Sequence, residues 1–393
     1  MGRFSDPDEI FADERVLDED YVPESLVARD DEMSSYVEVL RSVANGASPR
    51  NMFVYGAPGV GKTLATRMIL DELLEDQKQF DDVSVDTVWT NCKSDTSYQV
   101  ACNLVNHFRS RQRQINSTGH PRGAIHNKLW QHIDDSDHTH ILFVLDEVAS
   151  LDSDDDLLYQ IPRARSNGNI TDTRIGLIGI SNDFKFRDQL SPSVEATLCD
   201  YEIHFKPYNA DDLVNILSQR AEKAFRANVL SSEVIPLISA KVAQRTGSAR
   251  RALKILLTSG HTARDNSDAR VTESHVEKAH QKVQRELIKD ELEALPTQSH
   301  VILYTVLQLS REGKTPAKRS DILDRYEQVA RQIRRDPMSD RTLHRRLNQL
   351  SKQAFLNRSE RNQGINGGSY FEYSFDGSQE ILIDVLDSQN FNW

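Results

Sequence analysis

The sequence predicts an α/β fold in three parts: a parallel-sheet P-loop domain over 1–206, a helical lid domain over 207–295 and a C-terminal winged-helix domain over 296–393. Three observations carry this. Strand-length apolar runs alternate with helix-like segments up to residue 206, and near-continuous hydrophobic strands of that kind indicate a parallel sheet covered on both faces. After Pro207 the strand-like runs stop and only helical periodicity continues to residue 295. Residues 296–393 combine helical segments with a glycine-rich strand pair, and the sign of the charge changes there.

The strands of the first part are MFVYG (52–56), VDTVWTN (85–91), HILFVLDE (140–147), RIGLIGISN (174–182) and YEIHFK (201–206). Between them, segments such as KTLATRMILDELLEDQ and TSYQVACNLVNHFRSR space apolar residues three and four apart, the helical period. Segments 210–227, 231–246, 248–264 and 272–295 read as lid helices, each with Asp, Ser or Thr near its start to cap free amides. The last runs on toward Pro296 as a connector. Helices are then expected at 297–310, 319–335 and 339–353, followed by a strand pair around NQGINGG (362–368).

A chain of 393 residues is long enough for several domains, each with its own core. Its hydrophobic content of 38% and charged content of 27% belong to a folded chain rather than a disordered one. No run approaches the roughly eighteen apolar residues that cross a membrane, and the start MGRFSDPDEIFADE is acidic where a secretory signal is basic and then apolar. The expected location is therefore cytoplasmic, with no membrane partner. Cys92, Cys102 and Cys199 have neither CxxC spacing nor nearby histidine pairs, so they read as buried, reduced thiols rather than zinc ligands.

The net charge of -12 is unevenly spread. Residues 1–295 hold 34 basic and 48 acidic side chains, a net of -14, whereas residues 311–361 hold 14 and 7, a net of +7. A basic patch on an acidic body is the electrostatic footprint of a DNA-binding domain. The acidic surplus elsewhere, as in LDSDDDLL, suits a salt-rich cytoplasm.

GAPGVGKT (56–63) fits GxxxxGKT, directly after a strand and at the head of a helix. Gly56, Gly59 and Gly61 let backbone amides turn inward without Cβ clashes, so that the nucleotide-binding segment Gly56, Ala57, Pro58, Gly59, Val60, Gly61, Lys62, Thr63 and Leu64 cradles phosphate oxygens at a helix N-terminus. Lys62 reaches the β- and γ-phosphates and Thr63 holds Mg²⁺. HILFVLDE then delivers Asp146, for Mg²⁺ through water, and Glu147, to orient or deprotonate the attacking water. Alone, an acidic pair after a strand is a common surface feature, whereas the glycine-rich pattern directly after a strand seldom arises by chance. Together they select ATP or ADP with Mg²⁺. Asn182, ending the next strand, either positions that water or serves as a turn residue. Arg250 in GSARRAL either reaches over the γ-phosphate or is a solvated helix residue, and Arg251 is the weaker choice.

In SDRTLHRRLNQLSKQ, Leu343, Leu347 and Leu350 share one helical face, while Arg341, His344, Arg345, Asn348 and Lys352 share another. Three helices followed by a hairpin carrying Arg358 and Arg361 describe a winged helix, whose basic face contacts duplex DNA. The competing reading is a basic face on a protein-interaction domain.

The ordered set FADERVLDEDYVPESLVARDDEM, GAPGVGKT, VLDE, GISND, HFKPYNADDL, GSARRAL and a C-terminal winged helix resembles the archaeal replication initiators of the origin-recognition and cell-division-control family, which are AAA+ ATPases. The resemblance spans nearly the whole chain. It implies that Tyr21, Val22 and Pro23 line the adenine pocket and that Tyr208 belongs to the nucleotide site. It implies an extra initiator helix over roughly Gly119–Lys128, with Arg122 and Lys128 toward the minor groove of origin DNA. It further implies recruitment of the replicative minichromosome maintenance helicase, cooperation with other initiator paralogues, and ATP as a slow switch. The alternatives are a paralogue acting as plasmid initiator or DNA-bound regulator, and a remodelling or clamp-loading ATPase without DNA specificity.

Three departures accompany the resemblance. Ser248 stands where the family's lid motif usually has Asp, which leaves Arg250 in place with looser support. Ile365 and Asn366 occupy the wing where basic residues are usual, implying a different sequence preference. In LSPSVEATL, Ser193 stands where the family usually has the arginine that reaches a neighbour's phosphate. Arg187, six residues earlier, is the only cation expected close by, and it is not expected to replace the missing one.

Overall fold

In the computed structural model, which describes residues 9–79, 82–93, 95–151, 156–362, 369–375 and 377–388, the apolar runs form one parallel sheet. Strands β1 (Met52–Gly56), β2 (Val85–Asn91), β3 (His140–Asp146), β4 (Arg174–Ser181) and β5 (Tyr201–Phe205) stand in the order β2-β3-β4-β1-β5. Met52 of β1 lies opposite Ile178 of β4 and Tyr201 of β5. This order has a chemical consequence. The loop after β1 and the carboxylates ending β3 open on the same sheet edge, and whatever follows β4 lies between them.

Helices α1 (Asp30–Ala44), α2 (Lys62–Asp76), α3 (Ser97–His107), α4 (Arg122–Asp134), α5 (Asp156–Arg163) and α6 (Pro192–Leu198) surround the sheet. Leu104, Ile125, Leu129, Ile133, Phe143 and Leu177 are fully buried in its main core. The expected helix over 119–128 begins instead after Pro121 and runs to Asp134, because Trp130 and Ile133 extend its apolar face beyond Lys128. Cys92 and Cys102 are buried as expected, whereas Cys199 is only half-buried, and all three are free thiols. Burial pushes the Cys92 thiol up to about 12. No cluster of three or more His, Cys, Asp or Glu side chains able to hold a metal occurs among the described residues.

Helices α7 (Ala210–Ala224), α8 (Val234–Arg245), α9 (Ala249–Asp265) and α10 (Glu273–Glu293) follow. The segment around Phe11 and Ala12 is tied to them. Ala12 donates to the Ala224 carbonyl at 2.8 Å, and Phe11 packs on Phe225 with ring centroids 4.8 Å apart. Gly260 makes room for that ring, since a Cβ there would lie 2.3 Å from Phe11 Cζ.

By contact density the chain divides into two units, Met1–Ala279 and His280–Trp393, so the P-loop and lid segments lie in one unit and the division falls inside α10. The second unit comprises α11 (Thr297–Arg311), β6 (Ala317–Lys318), α12 (Arg319–Gln332), α13 (Asp340–Lys352), β7 (Leu356–Asn362), β8 (Ser369–Phe375) and α14 (Gln379–Ser388). Its sheet is antiparallel in the order β6-β8-β7. Neither β6 nor α14 is anticipated from the sequence. Helix α14 buries Ile381, Leu382, Val385 and Leu386 in the same core as Leu343, Leu347 and Leu350. Residues 152–155 of the acidic run and 363–368 of the wing, with Ile365 and Asn366, lie outside the described residues. No helix among the described residues is long and apolar enough to cross a membrane.

Burial lowers the proton affinity of His126, His132 and His140 below the ordinary 6.5. The unfolded chain therefore binds protons first as pH falls. Their contribution to stability should be complete above pH 6.5 and decline below it, until the folded rings also titrate. Urea midpoints of the first unit's unfolding transition measured across this range should fall with pH, and the decline should shrink in His140→Gln.

Candidate nucleotide site and nucleic-acid interface

The P-loop turns on glycines with left-handed backbone. At Gly59 (φ 75°) a Cβ would sit 2.2 Å from the Ser248 hydroxyl, so glycine is what lets the lid motif lie directly on the loop. Gly61 (φ 100°) heads α2, whose first amides and dipole favour an anion. Lys62 is buried, and its Nζ donates to the carbonyls of Gly56 at 2.8 Å and Ala57 at 2.9 Å and to Asn182 Oδ1 at 2.7 Å. Burial pushes its ammonium down to about 8 against the pull of Glu147 and Asp146.

Strand order now explains Asn182. It follows β4, between β1 and β3, and spans the gap: while Oδ1 faces Lys62, Nδ2 donates to Glu147 Oε1 at 2.6 Å. An ammonium has only donors, so the amide orientation is fixed and the nitrogen must face the carboxylate. Thr63 Oγ1 donates to Asp146 Oδ2 at 2.9 Å, and the other Asp146 oxygen accepts from the Glu147 amide at 2.9 Å. A hydroxyl and a carboxylate this close, beside a phosphate cradle, fit the hard oxygen coordination that Mg²⁺ prefers.

A cleft of about 310 Å³ opens over these groups, within the range of small-ligand sites. Pro58, Gly59, Gly61, Lys62, Thr63, Leu64, Asp146, Glu147, Asn182, Tyr208 and Arg250 all line it, as do Tyr21 and Pro23. Val22 does not: its side chain is 53% exposed. Gly56 and Ala57 accept from Lys62 through their carbonyls, the Val60 side chain is fully buried, and none of the three lines the cleft. Arg250 pairs with Glu19 at 3.5 Å, both groups exposed. Ser248 caps α9 by accepting from the Arg251 amide at 3.3 Å, a task Asp would also perform, so the capping role survives the departure.

Sequence reasoning missed two arginines here. Buried Arg29 donates to the carbonyls of Val60 (3.0 Å) and Lys206 (2.7 Å), pairs with Glu32 at 2.7 Å, and stacks 3.9 Å from the Tyr208 ring centroid. Arg220 donates to the Val16 carbonyl at 3.0 Å, lies 4.2 Å from the Tyr21 ring centroid and lines the cleft. Nothing in their sequence surroundings marks them apart from other arginines.

At α6, Ser193 offers no charge, but Arg187 is not its nearest cation. Arg187 is tied to Glu202 at 2.8 Å and stacked on Phe184, whereas Arg163, at the end of α5, donates to the Ser193 carbonyl at 2.8 Å. The expectation that Arg187 alone lies close by is therefore corrected.

In the second unit, α13 buries Leu343, Leu347 and Leu350 and leaves Arg341, Arg345 and Lys352 exposed, with His344 and Asn348 half-buried. On the strand after it, Arg358 donates to Asn348 Oδ1 at 2.8 Å, and Arg361 pairs with Glu372 at 3.1 Å. In the first unit, Arg122 is exposed at the first turn of α4 and Lys128 is half-buried.

Family models match along the chain: an AAA domain over residues 46–186, the Cdc6 AAA+ ATPase-type lid domain over 214–281, and the CDC6 C-terminal winged helix domain over 290–385. ORC1-type DNA replication protein 1 of Haloarcula marismortui is 47% identical, covering 98% of this chain and 94% of the relative. The chain belongs to the ORC1-type DNA replication protein family. Another ORC1-type relative, protein 8 of Halobacterium salinarum, is 41% identical over 98% of both chains. Among solved structures, the Aeropyrum pernix ORC1 protein in complex with DNA is similar with a TM-score of 0.85 and 28% identity, over 98% of both chains. Cdc6p from Pyrobaculum aerophilum shares the fold, with a TM-score of 0.59 and 21% identity over 97% of this chain and 99% of that one. In this ORC1-type chain the AAA+ fold, the lid and the winged helix stand as the sequence led us to expect.

Proposed function

We propose that this ORC1-type chain is an ATP-dependent replication initiator that binds origin duplex DNA and helps recruit the replicative helicase, with bound ATP as a slow switch. The observation that carries the reading is the hydrogen-bonded series Lys62–Asn182–Glu147 beside the Thr63–Asp146 pair, all of them groups of this one chain. Mg²⁺, when bound, would neutralise charge on the β- and γ-phosphates. Thr63 and Asp146 would hold it. Lys62 would leave its carbonyl partners for phosphate oxygens, Asn182 would orient water, and Glu147 would take its proton during in-line attack. Tyr21, Pro23, Tyr208 and Arg220 would enclose the base, and Arg250 would exchange Glu19 for the γ-phosphate, so that nucleotide state reaches the lid.

DNA would be held by the basic face of α13, by Arg358 and Arg361, and by Arg122 and Lys128 of α4. Footprinting on duplexes with repeated sites is expected to show discrete protection; uniform, sequence-blind protection would sink the initiator reading. Arg345→Ala should weaken binding to all duplexes alike and reduce the slope of log affinity against log salt by about one, as expected for one lost phosphate contact. A regulatory or plasmid-initiator paralogue is the second reading, favoured by Ser193. Failure of the chain to co-purify with the replicative helicase would select it.

A further inference from the structure

We infer that Arg358 sets the base preference of the winged helix by turning Asn348 into a donor-only reader, so that this part of the surface selects guanine or thymine and rejects adenine. The inference rests on the reading that α13 meets duplex DNA. A guanidinium carries donors and no acceptor. The Asn348 atom 2.8 Å from Arg358 Nη1 must therefore be the carbonyl oxygen, which removes the usual ambiguity of a side-chain amide. Its nitrogen then faces His344 Nε2, one helical turn earlier, at 3.1 Å. That nitrogen also only donates, so Nε2 is the acceptor, which leaves the ring hydrogen to Nδ1, a buried atom with no partner among the described residues. The Phe371 ring, 4.2 Å from the guanidinium carbon, supports Arg358 from the neighbouring strand.

An unencumbered asparagine reads adenine with both ends of its amide, accepting from N6 and donating to N7. Here one N–H is spent on His344 and the oxygen is covered by a cation. A second donor approaching Oδ1 would meet the N–H groups and positive charge of Arg358. What Asn348 has left is one N–H, next to further N–H groups of the same guanidinium. Two such donors side by side match O6 and N7 of guanine, and one matches O4 of thymine. Adenine offers them N7 alone, and its N6 amino group, like the N4 amino group of cytosine, opposes a second donor.

The test selects duplexes bound by the full chain from a pool with a randomised stretch and reads the enriched bases. The wild type should enrich guanine or thymine at one position, and Asn348→Ala should flatten that position. Arg358→Ala frees Oδ1 and should move the preference there to adenine by about tenfold, the discrimination of one bidentate pair. If Arg358→Ala instead lowers binding to every duplex equally, Arg358 is a phosphate contact and the inference fails. Nitrogen-15 spectra of the imidazole of His344 in the DNA-free full chain provide a second readout, independent of DNA affinity. The Nδ1–H tautomer should dominate in the wild type and give way to a mixture in Asn348→Ala. An Nε2–H ring in the wild type overturns the inference alone. A chain that selects no duplex while His344 holds the Nδ1–H form overturns the DNA reading, and this inference with it.

Discussion

Glu147→Gln is expected to bind ATP as tightly as the native chain and to hydrolyse it about 10²–10⁴ times more slowly, the usual share of a general base. The separation follows from Asn182. Its Nδ2 donates to Glu147 Oε1 at 2.6 Å, and a glutamine Oε1 accepts the same bond, so Lys62 and the loop around it keep their arrangement. The backbone at Glu147 is left-handed (φ 56°), a conformation stabilised by its surroundings, and glutamine meets the same demand there. Only the proton acceptor is lost. Calorimetric titration with ATP and phosphate-release assays on the same preparation check both halves. A rate within about threefold of wild type would remove Glu147 from the chemistry.

Arg163 sharpens what the missing arginine means. An arginine supplied in trans raises phosphoryl transfer by about 10³–10⁵ in systems that use one. Here the guanidinium nearest Ser193 donates to that residue's own backbone and lies 4.3 Å from the Tyr159 ring centroid. Turnover per molecule is therefore expected to stay constant as protein concentration rises. A steep rise would mean that a neighbour does supply charge, and Arg163→Ala would then be the first variant to remove it.

The sheet was legible because each strand is a β-type apolar run, so observed boundaries fall within a residue of the expected ones, as at 140–146 against 140–147. The carboxylates and the P-loop were legible for the same reason: they sit where those runs end. Helix ends were less so. The lid's first helix stops at Ala224 instead of continuing to 227, because Phe225 turns to an extended conformation (φ -104°, ψ 154°) and meets Phe11, a partner more than 200 residues away in sequence. Distance along the chain misled at Ser193 as well. Arg187 is six residues away but is bound to Glu202, while Arg163, thirty residues away, touches Ser193. Helix α14 had apolar residues at helical spacing, and reading past the hairpin would have found it. Arg29 had no such signal, since its role depends on two carbonyls brought together only by the fold.

Arg29→Ala is expected to destabilise the first unit by about 3–5 kcal/mol, the cost of removing one partner from a buried ion pair. The Arg29 side chain is 4% exposed and that of Glu32 13%, so the carboxylate left behind has little access to water. The carbonyls of Val60 and Lys206 lose their donor in the same step. For a unit of this size each kcal/mol moves Tm by about 2–4 °C, so a fall of roughly 6–20 °C is expected in the first unit's unfolding transition. Because Val60 belongs to the P-loop, the loss should extend to nucleotide affinity, and excess ATP should recover only part of the lost Tm. Arg29→Lys should fall between, since one ammonium cannot span Glu32 and both carbonyls. The double variant Arg29→Met with Glu32→Gln separates the two causes. If the stranded charge dominates, it should regain most of the lost stability; if the unpaired carbonyls dominate, it should melt with Arg29→Ala. A Tm change below about 3 °C in Arg29→Ala would mean that Glu32 reaches solvent without cost and that the arginine does not hold the loop.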